Sequence, residues 1–238
     1  MKRSALITGA SRGLGAALAR ELGARGWSLT IHGRDRQRLE ARREALEASG
    51  VEVAVTVGDL EQPGVAARLI DEHVEHFGGL DALVANAALA TPAWMEKLQP
   101  DEVNTQLSVN LTSTFALVSA ALPALQAGER IGRAVLIGSI TGHYPIKMLS
   151  VYSASKAALR SLGDSVNLEY GARGVRATVV TPGYIDTDLS SGAPVAANTE
   201  MLSADDVASA VGLLLEFPED LIIRELPLAR ASAPFIER

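Results

Sequence analysis

The chain contains no cysteine among its 238 residues. This absence excludes disulfides, thiolate metal sites, iron–sulfur clusters and cysteine nucleophiles. Basic residues are also in deficit, because 22 lysines and arginines stand against 28 acidic residues and give a net charge of -6. That balance argues against nucleic acid or an anionic membrane as a partner. No run approaches the ~20 apolar residues of a membrane span, so we expect a cytoplasmic protein that does not act at a membrane.

Two catalytic motifs are absent as well. No G-x-S-x-G elbow exists, since Gly138-Ser139 lacks the spacing, and this disfavours a serine hydrolase. No G-x-x-x-x-G-K-[ST] loop exists either, which disfavours phosphoryl transfer. His73 and His76 could weakly bind zinc, but a solvated helical face is the favoured interpretation and we predict no metal site.

Short, almost continuously apolar runs alternate with longer amphipathic segments. Buried strands are predicted at Ser4–Thr8, Ser28–His32, Glu52–Val57, Ala82–Ala85, Ala134–Ile137 and Arg176–Val180, with a last strand at Leu221–Leu226. Helices are predicted at Leu14–Arg25, Arg36–Ser49, Gly64–Phe77, Pro100–Gln126, Val151–Tyr170 and, capped by Ser203, from there to Glu216. This alternation indicates repeated βαβ units and a parallel sheet. Residues 1–238 are predicted to form a single domain, with a substrate lid at 182–202.

A glycine-rich segment links the first predicted strand to the first helix. It runs from Thr8 to Gly15 with the spacing G-x-x-x-G-x-G, a variant of the dinucleotide-binding pattern. The glycines let a pyrophosphate approach the backbone, and the start of the helix supplies free N–H groups and a positive dipole end. The alternative is a tight turn that serves packing alone. The flanking strand and helix favour a nicotinamide dinucleotide site.

The end of the second predicted strand bears on which nicotinamide cofactor binds. An NAD site places a carboxylate there for the ribose 2′-OH, whereas here Arg34 follows the strand directly. Arg12 lies in the glycine loop, and two guanidinium groups suit a 2′-phosphate. Asp35 offers an acidic alternative but is predicted to cap a helix. NADP(H) is therefore the favoured cofactor, and NAD(H) remains the alternative.

Tyr152 and Lys156 stand four residues apart at the start of a predicted helix, and so on one helical face. An ordinary tyrosine titrates near pH ~10. An ammonium beside it stabilises the phenolate and is expected to lower the pKa of Tyr152 toward the range of general acid–base catalysis. The pair alone is weak evidence, since the spacing also occurs on solvated helices.

Together, the glycine loop, the Tyr–Lys pair and the βα order resemble the short-chain dehydrogenase/reductase family over nearly the whole chain. The resemblance implies a Rossmann-type doubly wound parallel sheet of about seven strands, in the order 3-2-1-4-5-6-7, with helices on both faces. The catalytic residues it implies are Ser139, Tyr152, Lys156 and Asn110. The cofactor-binding residues it implies, with the residues considered above, are Gly9, Ser11, Arg12, Gly13, Leu14, Gly15, Arg34, Asp59, Leu60, Asn86, Ala87, Tyr152, Lys156, Pro182, Gly183, Ile185 and Thr187.

The implied reaction is reversible hydride transfer between NADP(H) and a carbonyl or alcohol. Tyr152 is expected to donate the proton, Ser139 to hydrogen-bond the same substrate oxygen, and Lys156 to hold the nicotinamide ribose. Asn110 is expected to position a water that links Lys156 to solvent; alternatively, it is a helix-distorting residue satisfied by backbone groups. His143, Tyr144 and Tyr184 are predicted to line the pocket for a small or medium, partly apolar substrate.

Two departures from the family pattern stand out. Ala85 and Ala88 replace the usual Asn and Gly of the fourth-strand motif, and the C-terminal segment lacks the usual glycine-rich ending. A homodimer or homotetramer is expected from the resemblance, and the second departure puts the common tetramer arrangement in doubt. A non-catalytic NADP(H)-binding regulator is the alternative function. An epimerase or dehydratase fits poorly, because only about 50 residues follow Thr187.

Overall fold

The computed structural model of the protein describes residues 2–189 and 201–232. Fourteen regular elements follow one another in the described chain: β1 Ser4–Thr8, α1 Gly13–Ala24, β2 Ser28–Gly33, α2 Arg36–Glu47, β3 Val53–Val57, α3 Val65–Phe77, β4 Ala82–Ala85, α4 Pro100–Leu107, α5 Ser113–Ala127, β5 Gly132–Ile137, α6 Ser150–Tyr170, β6 Val175–Pro182, α7 Ala204–Leu214 and β7 Glu225–Leu228. Most of the predicted lid, residues 190–200, lies outside the described residues.

The strands form one parallel sheet in the order β3-β2-β1-β4-β5-β6-β7. The predicted doubly wound sheet and its order are confirmed. Every residue of β1, β2 and β5 is buried, as expected for strands covered on both faces. The order reverses beside β1, and the carboxyl ends of β1 and β4 therefore flank the crevice where ligands bind in such sheets.

The helices enclose the sheet as two separate cores. Alternate side chains of β1 show the division, since Ile7 packs in one core and Leu6 in the other. The first core contains side chains of α1, α2 and α7, and the second contains those of α3, α5 and α6. The helix α6, which contains Tyr152 and Lys156, thus lies on the same face of the sheet as α5.

The last strand differs from its prediction. It covers Glu225–Leu228 instead of Leu221–Leu226, and Leu221 and Ile222 are about half exposed. The amide side chain of Asn167 in α6 bonds both the N–H and the C=O of Ala177, each at 2.8 Å. A longer β7 would need these two backbone groups of β6 as its hydrogen-bond partners. Because Asn167 occupies them, pairing between β6 and β7 starts only at Val179 and Glu225.

The predicted helix Pro100–Gln126 is interrupted by a π-helical turn at Ser108–Thr112, which separates α4 from α5. π turns within helices are often found at functional sites. The whole stretch Pro100–Ala127 is long and apolar enough to cross a membrane by length and composition. Its inner side chains, among them Leu117 and Val118, pack in the second core, which accounts for its apolar character.

Candidate active site

A cavity of about 330 Å³ opens at the carboxyl ends of the strands. Residues that follow six strands, β1 to β6, line it. The structure places all but three of the predicted site residues in this wall; the exceptions are Asn110, His143 and Tyr144. Residues that are distant in sequence therefore meet around one space large enough for a ligand.

The glycine loop forms the part of the cavity wall that follows the carboxyl end of β1. Gly9 and Gly13 adopt positive φ angles of 68° and 53°, a region that favours glycine. A Cβ on Gly15 would lie 2.1 Å from the carbonyl oxygen of Gly9, so the loop and α1 pack too closely for any side chain there. No side chain among the described residues caps the first turn of α1. Its N–H groups and dipole are thus available to an anion.

The loop after β4 is locked onto the glycine loop. The Asn86 side chain donates to the carbonyl of Thr8 at 2.9 Å, and the Thr8 hydroxyl accepts from the N–H groups of Asn86 and Ala87. A Cβ on Gly9 would lie 3.0 Å from the Cα of Ala87. The two loops that flank the crevice are consequently held as one rigid unit.

The residues at the end of β2 separate into different roles. The Asp35 side chain accepts from the N–H of Arg38 at 3.1 Å and caps α2, as predicted. Arg34 lines the cavity. Arg12 also lines it, but its guanidinium pairs at 2.8 Å with Asp188 in the segment after β6. The two arginines therefore share the wall, while one of them is bridged across the cleft to an acid.

The surroundings of Ser139 leave its hydroxyl free only to donate a hydrogen bond. It follows β5 and is 8% exposed, and its oxygen accepts from the N–H of Thr141 at 3.2 Å and from the Thr141 hydroxyl at 3.1 Å. With both lone pairs engaged, the single O–H of Ser139 is left to donate. A hydrogen bond from Ser139 favours the ionised form of Tyr152. Sequence reasoning missed Thr141, although the Ser-x-Thr spacing at a strand end was a usable signal.

Lys156 does not act on Tyr152 as predicted. Its ammonium donates to the Ile137 carbonyl at 2.7 Å and lies 5.5 Å from the centroid of the Tyr152 ring. Burial raises the pKa of Tyr152 to about 12, and the bond from Ser139 offsets this only in part. Burial also lowers the pKa of Lys156 to about 8. The expected lowering of the Tyr152 pKa is thus wrong for this structure, because desolvation of the phenolate dominates. At neutral pH the phenol is protonated, which is the form that donates a proton.

Asn110 is fully buried within the π turn. Its amide accepts from the N–H of Leu89 at 2.7 Å and donates to the C=O of Leu89 at 2.8 Å and to the Ser155 hydroxyl at 3.2 Å. The side chain therefore holds the loop after β4 against α6, one residue before Lys156. This matches the alternative of a helix-distorting residue satisfied by backbone groups, and a water relay stays a prediction.

The three residues predicted to bind substrate are placed differently. Tyr184 lines the cavity, and burial raises the pKa of its phenol. The imidazole of His143 instead bonds the carboxylate of Glu225, and Tyr144 is 55% exposed. The short turn after Ser139 directs both of these residues away from the cavity wall, so the structure does not support contact with a substrate.

His32 was not predicted as a site residue but lines the cavity. It is the last residue of the predicted second strand, and this position was the signal that could have found it. Its Nε2 lies 3.1 Å from the Gly58 carbonyl oxygen, and burial lowers its pKa to about 4. The imidazole is consequently neutral at pH 7.

Comparison with known proteins gives a consistent result. A family model described as short chain dehydrogenase matches residues 3–196. The chain is 28% identical over 227 residues to an uncharacterized oxidoreductase of Staphylococcus epidermidis, with 95% of this chain and 96% of that protein covered.

Solved structures are similar over the same extent. An alcohol dehydrogenase from the archaeon Thermococcus sibiricus, complexed with 5-hydroxy-NADP, has a TM-score of 0.87 at 32% identity, and the alignment covers 95% of each chain. A short chain dehydrogenase from Burkholderia cenocepacia in complex with NADP has a TM-score of 0.86 at 32% identity, with 95% of this chain and 96% of that chain covered.

Proposed function

Since this chain belongs to the short-chain dehydrogenase/reductase family and is an NAD(P)-dependent oxidoreductase, we propose that it transfers hydride reversibly between NADP(H) and a carbonyl or alcohol substrate. The observation that carries the proposal is the Ser139 hydroxyl, which is restricted to donating and lies beside the Tyr152 phenol in the cavity wall. Two hydroxyl donors at one point suit a carbonyl oxygen that gains negative charge.

The residues of the site then have separate roles in reduction. Tyr152 donates its proton to the substrate oxygen, and the O–H of Ser139 turns from Tyr152 to donate a hydrogen bond to the same oxygen. Lys156, whose pKa is about 8, is mostly cationic at neutral pH and is proposed to hold the nicotinamide ribose. The nicotinamide, when bound, supplies or accepts the hydride.

The glycine loop suits a dinucleotide. Gly15 packs so closely on the Gly9 backbone that no side chain can stand there, and the uncapped start of α1 suits a pyrophosphate. Arg12 and Arg34 are the residues proposed to meet a 2′-phosphate, and this supports NADP(H) over NAD(H). The solved relatives from T. sibiricus and B. cenocepacia contain 5-hydroxy-NADP and NADP, which supports the same preference here.

The cofactor preference can be tested by binding alone. Titration of the protein fluorescence with NADPH and NADH should show tighter binding of NADPH, and Arg34→Ala should weaken NADPH while it leaves NADH unchanged. Arg36→Ala, which removes an exposed guanidinium two residues away in α2, is the matched control. Equal or tighter binding of NADH by the wild type would refute the arginine argument.

The rest of the cavity indicates the chemical class of substrate. Apolar or small side chains supply much of the wall beyond Ser139 and Tyr152, namely Ala88, Leu89, Ala90, Pro92, Val109 and Leu149. Apart from Arg12, Arg34 and Lys156, which are proposed to meet the cofactor, the described wall residues include no lysine or arginine for a substrate carboxylate. We therefore propose a neutral, largely apolar ketone, aldehyde or alcohol as the substrate.

A panel of substrates tests the activity. Neutral ketones and aldehydes with NADPH, and the corresponding alcohols with NADP, are followed by absorbance of the nicotinamide. The proposal predicts turnover that is faster for apolar ketones than for keto acids of equal length. Tight NADPH binding without turnover on the whole panel would contradict it and would favour the non-catalytic regulator.

We also propose self-association as a homodimer or homotetramer. Phe115 in α5 is 59% exposed and Leu168 in α6 is 86% exposed. Large apolar side chains on two adjacent helices suit a second copy of the same chain. Sedimentation of the wild type should show an oligomer, and Phe115→Glu with Leu168→Glu should shift it to a smaller species; a monomeric wild type would refute this.

A further inference from the structure

Glu225 stands outside the cavity but joins two segments that carry the site. Its carboxylate bonds Nε2 of His143, which lies four residues after Ser139, and one of its oxygens lies 3.4 Å from Nε of Arg160 in α6. The side chains of His143 and Glu225 are only 26% and 25% exposed. Burial alone raises the pKa of Glu225, but the bond and charge of His143 and the charge of Arg160 outweigh it and lower the pKa. The carboxylate is therefore ionised at neutral pH.

His143 is tied closely to Ser139. A single 3-10 turn, Ile140–Gly142, separates them, and the N–H of Gly142 donates to the carbonyl of Ser139 at 3.0 Å. This turn packs directly on α6, because a Cβ on Gly142 would lie 2.9 Å from the backbone of Lys156 and Ala157. Any displacement of His143 must consequently shift the turn that orients the Ser139 hydroxyl.

Arg160 connects the same carboxylate to the helix of Tyr152 and Lys156. It lies one helical turn after Lys156 and therefore on the same face. The strand that carries Glu225 also ends at Leu228, whose carbonyl accepts from the N–H of Gly183 in the cavity wall at 2.9 Å. The last strand thus touches the Ser139 turn, α6 and the segment after β6.

We propose that Glu225 is a positioning residue that fixes the Ser139 turn against α6 through His143 and Arg160. It thereby sets the relation of the Ser139 hydroxyl to the Tyr152 phenol, and in this respect the inference rests on the proposed function. A displacement of about 1 Å of a positioned group can lower a rate by about a hundredfold. A carboxylate outside the cavity is then expected to control kcat without binding cofactor or substrate.

A neighbouring ion pair supplies the matched control. Asp164 and Arg224 also join α6 to the chain at the last strand, with bonds of 2.7 and 2.8 Å. None of the bonds described for this pair reaches the Ser139 turn. Asp164→Asn therefore removes a comparable link between α6 and this edge of the sheet.

The first measurement compares Glu225→Gln with Asp164→Asn. Glu225→Gln should lower kcat about ten- to a hundredfold, with KM and the NADPH dissociation constant changed less than twofold. Asp164→Asn should keep wild-type kcat. His143→Gln, which keeps a donor for Glu225, should retain more kcat than His143→Ala. Equal kcat values for Glu225→Gln and Asp164→Asn would overturn the inference.

The second measurement does not depend on turnover. Amide hydrogen exchange should be faster at Gly142 and His143 in Glu225→Gln than in the wild type, and unchanged there in Asp164→Asn. Unchanged exchange at the turn in Glu225→Gln would overturn the inference even if no substrate were found. If the wild type turned over no substrate but Glu225→Gln still exchanged faster at Gly142 and His143, the result would contradict the proposed function and leave the positioning role of Glu225 supported.

Discussion

Acidification should destabilise this protein through His73, whose imidazole is completely buried on the inner face of α3. Its Nδ1 lies 2.7 Å from the Thr30 hydroxyl and its Nε2 lies 3.1 Å from the Ser4 hydroxyl. Ser4 donates onward to Gly79, so it accepts from Nε2–H, and Nδ1 accepts from Thr30. The neutral imidazole is thus satisfied on both sides, whereas a second proton would require the Thr30 hydroxyl to rotate and would leave a charged ring buried away from water.

The loss of unfolding free energy on acidification can be estimated from the pKa of His73. Burial lowers it from 6.5 to about 4, so as pH falls through 6.5 the unfolded chain binds a proton that the folded chain does not. Stability is therefore lost between about pH 6.5 and pH 4, by about 3 kcal/mol in full and about 2 kcal/mol at pH 5. This is a large share of a typical unfolding free energy of about 5–15 kcal/mol.

Urea unfolding at pH 7 and pH 5 measures this effect. His73→Gln is expected to be less stable at pH 7, because it loses buried hydrogen bonds, but to lose about 2 kcal/mol less than the wild type between the two pH values. The residual loss in the variant is assigned to His32, whose pKa burial also lowers to about 4. His76→Gln, which removes an exposed imidazole of α3, is the control. An equal loss in wild type and His73→Gln, or a His73 resonance titrating near 6.5, would refute the reasoning.

Three further substitutions test other parts of the structure. Gly15→Ala should abolish NADPH binding and lower the melting temperature, because its methyl group would lie 2.1 Å from the Gly9 carbonyl; normal binding would contradict the close packing. Asp188→Asn should tighten NADPH about 1.5- to 5-fold without changing NADH, since Arg12 no longer has to leave an exposed ion pair; weaker NADPH binding would show that the pair supports the cofactor. Asn167→Ala should lower the unfolding free energy by about 1–3 kcal/mol, because two buried backbone groups lose their partner; a change below about 0.5 kcal/mol in urea unfolding would contradict that role.

The features that sequence reasoning predicted correctly depend on local pattern. Buried parallel strands are nearly continuous apolar runs, and a glycine loop between a strand and a helix has few conformations. The parallel sheet and the cap at Asp35 followed from these patterns, whereas the strand order and the gathering of Gly15, Ser139 and Tyr152 around one cavity followed from the family resemblance. The roles of the gathered residues stay predictions that the substitutions test.

The features that it missed depend on contacts between distant segments. The pair His73 and His76 suggested a solvated face, whereas the structure buries His73 between the sheet and α3. Helical spacing correctly placed Lys156 beside Tyr152, but it did not show that the Ile137 carbonyl binds the ammonium or that burial dominates the pKa of Tyr152. In the same way, no local sequence pattern predicts the bond between Glu225 and His143, which are 82 residues apart in the chain.

The measurement that tests the central claim most directly is the rate of NADPH oxidation with a neutral ketone by the wild type and by Tyr152→Phe. The phenylalanine ring keeps the packing of Tyr152 and removes only the hydroxyl that is proposed to donate the proton. The account predicts that kcat falls by about 10²–10⁴-fold, while the NADPH dissociation constant stays within about twofold of the wild type. Turnover by Tyr152→Phe at the wild-type rate, with NADPH binding intact, would contradict it.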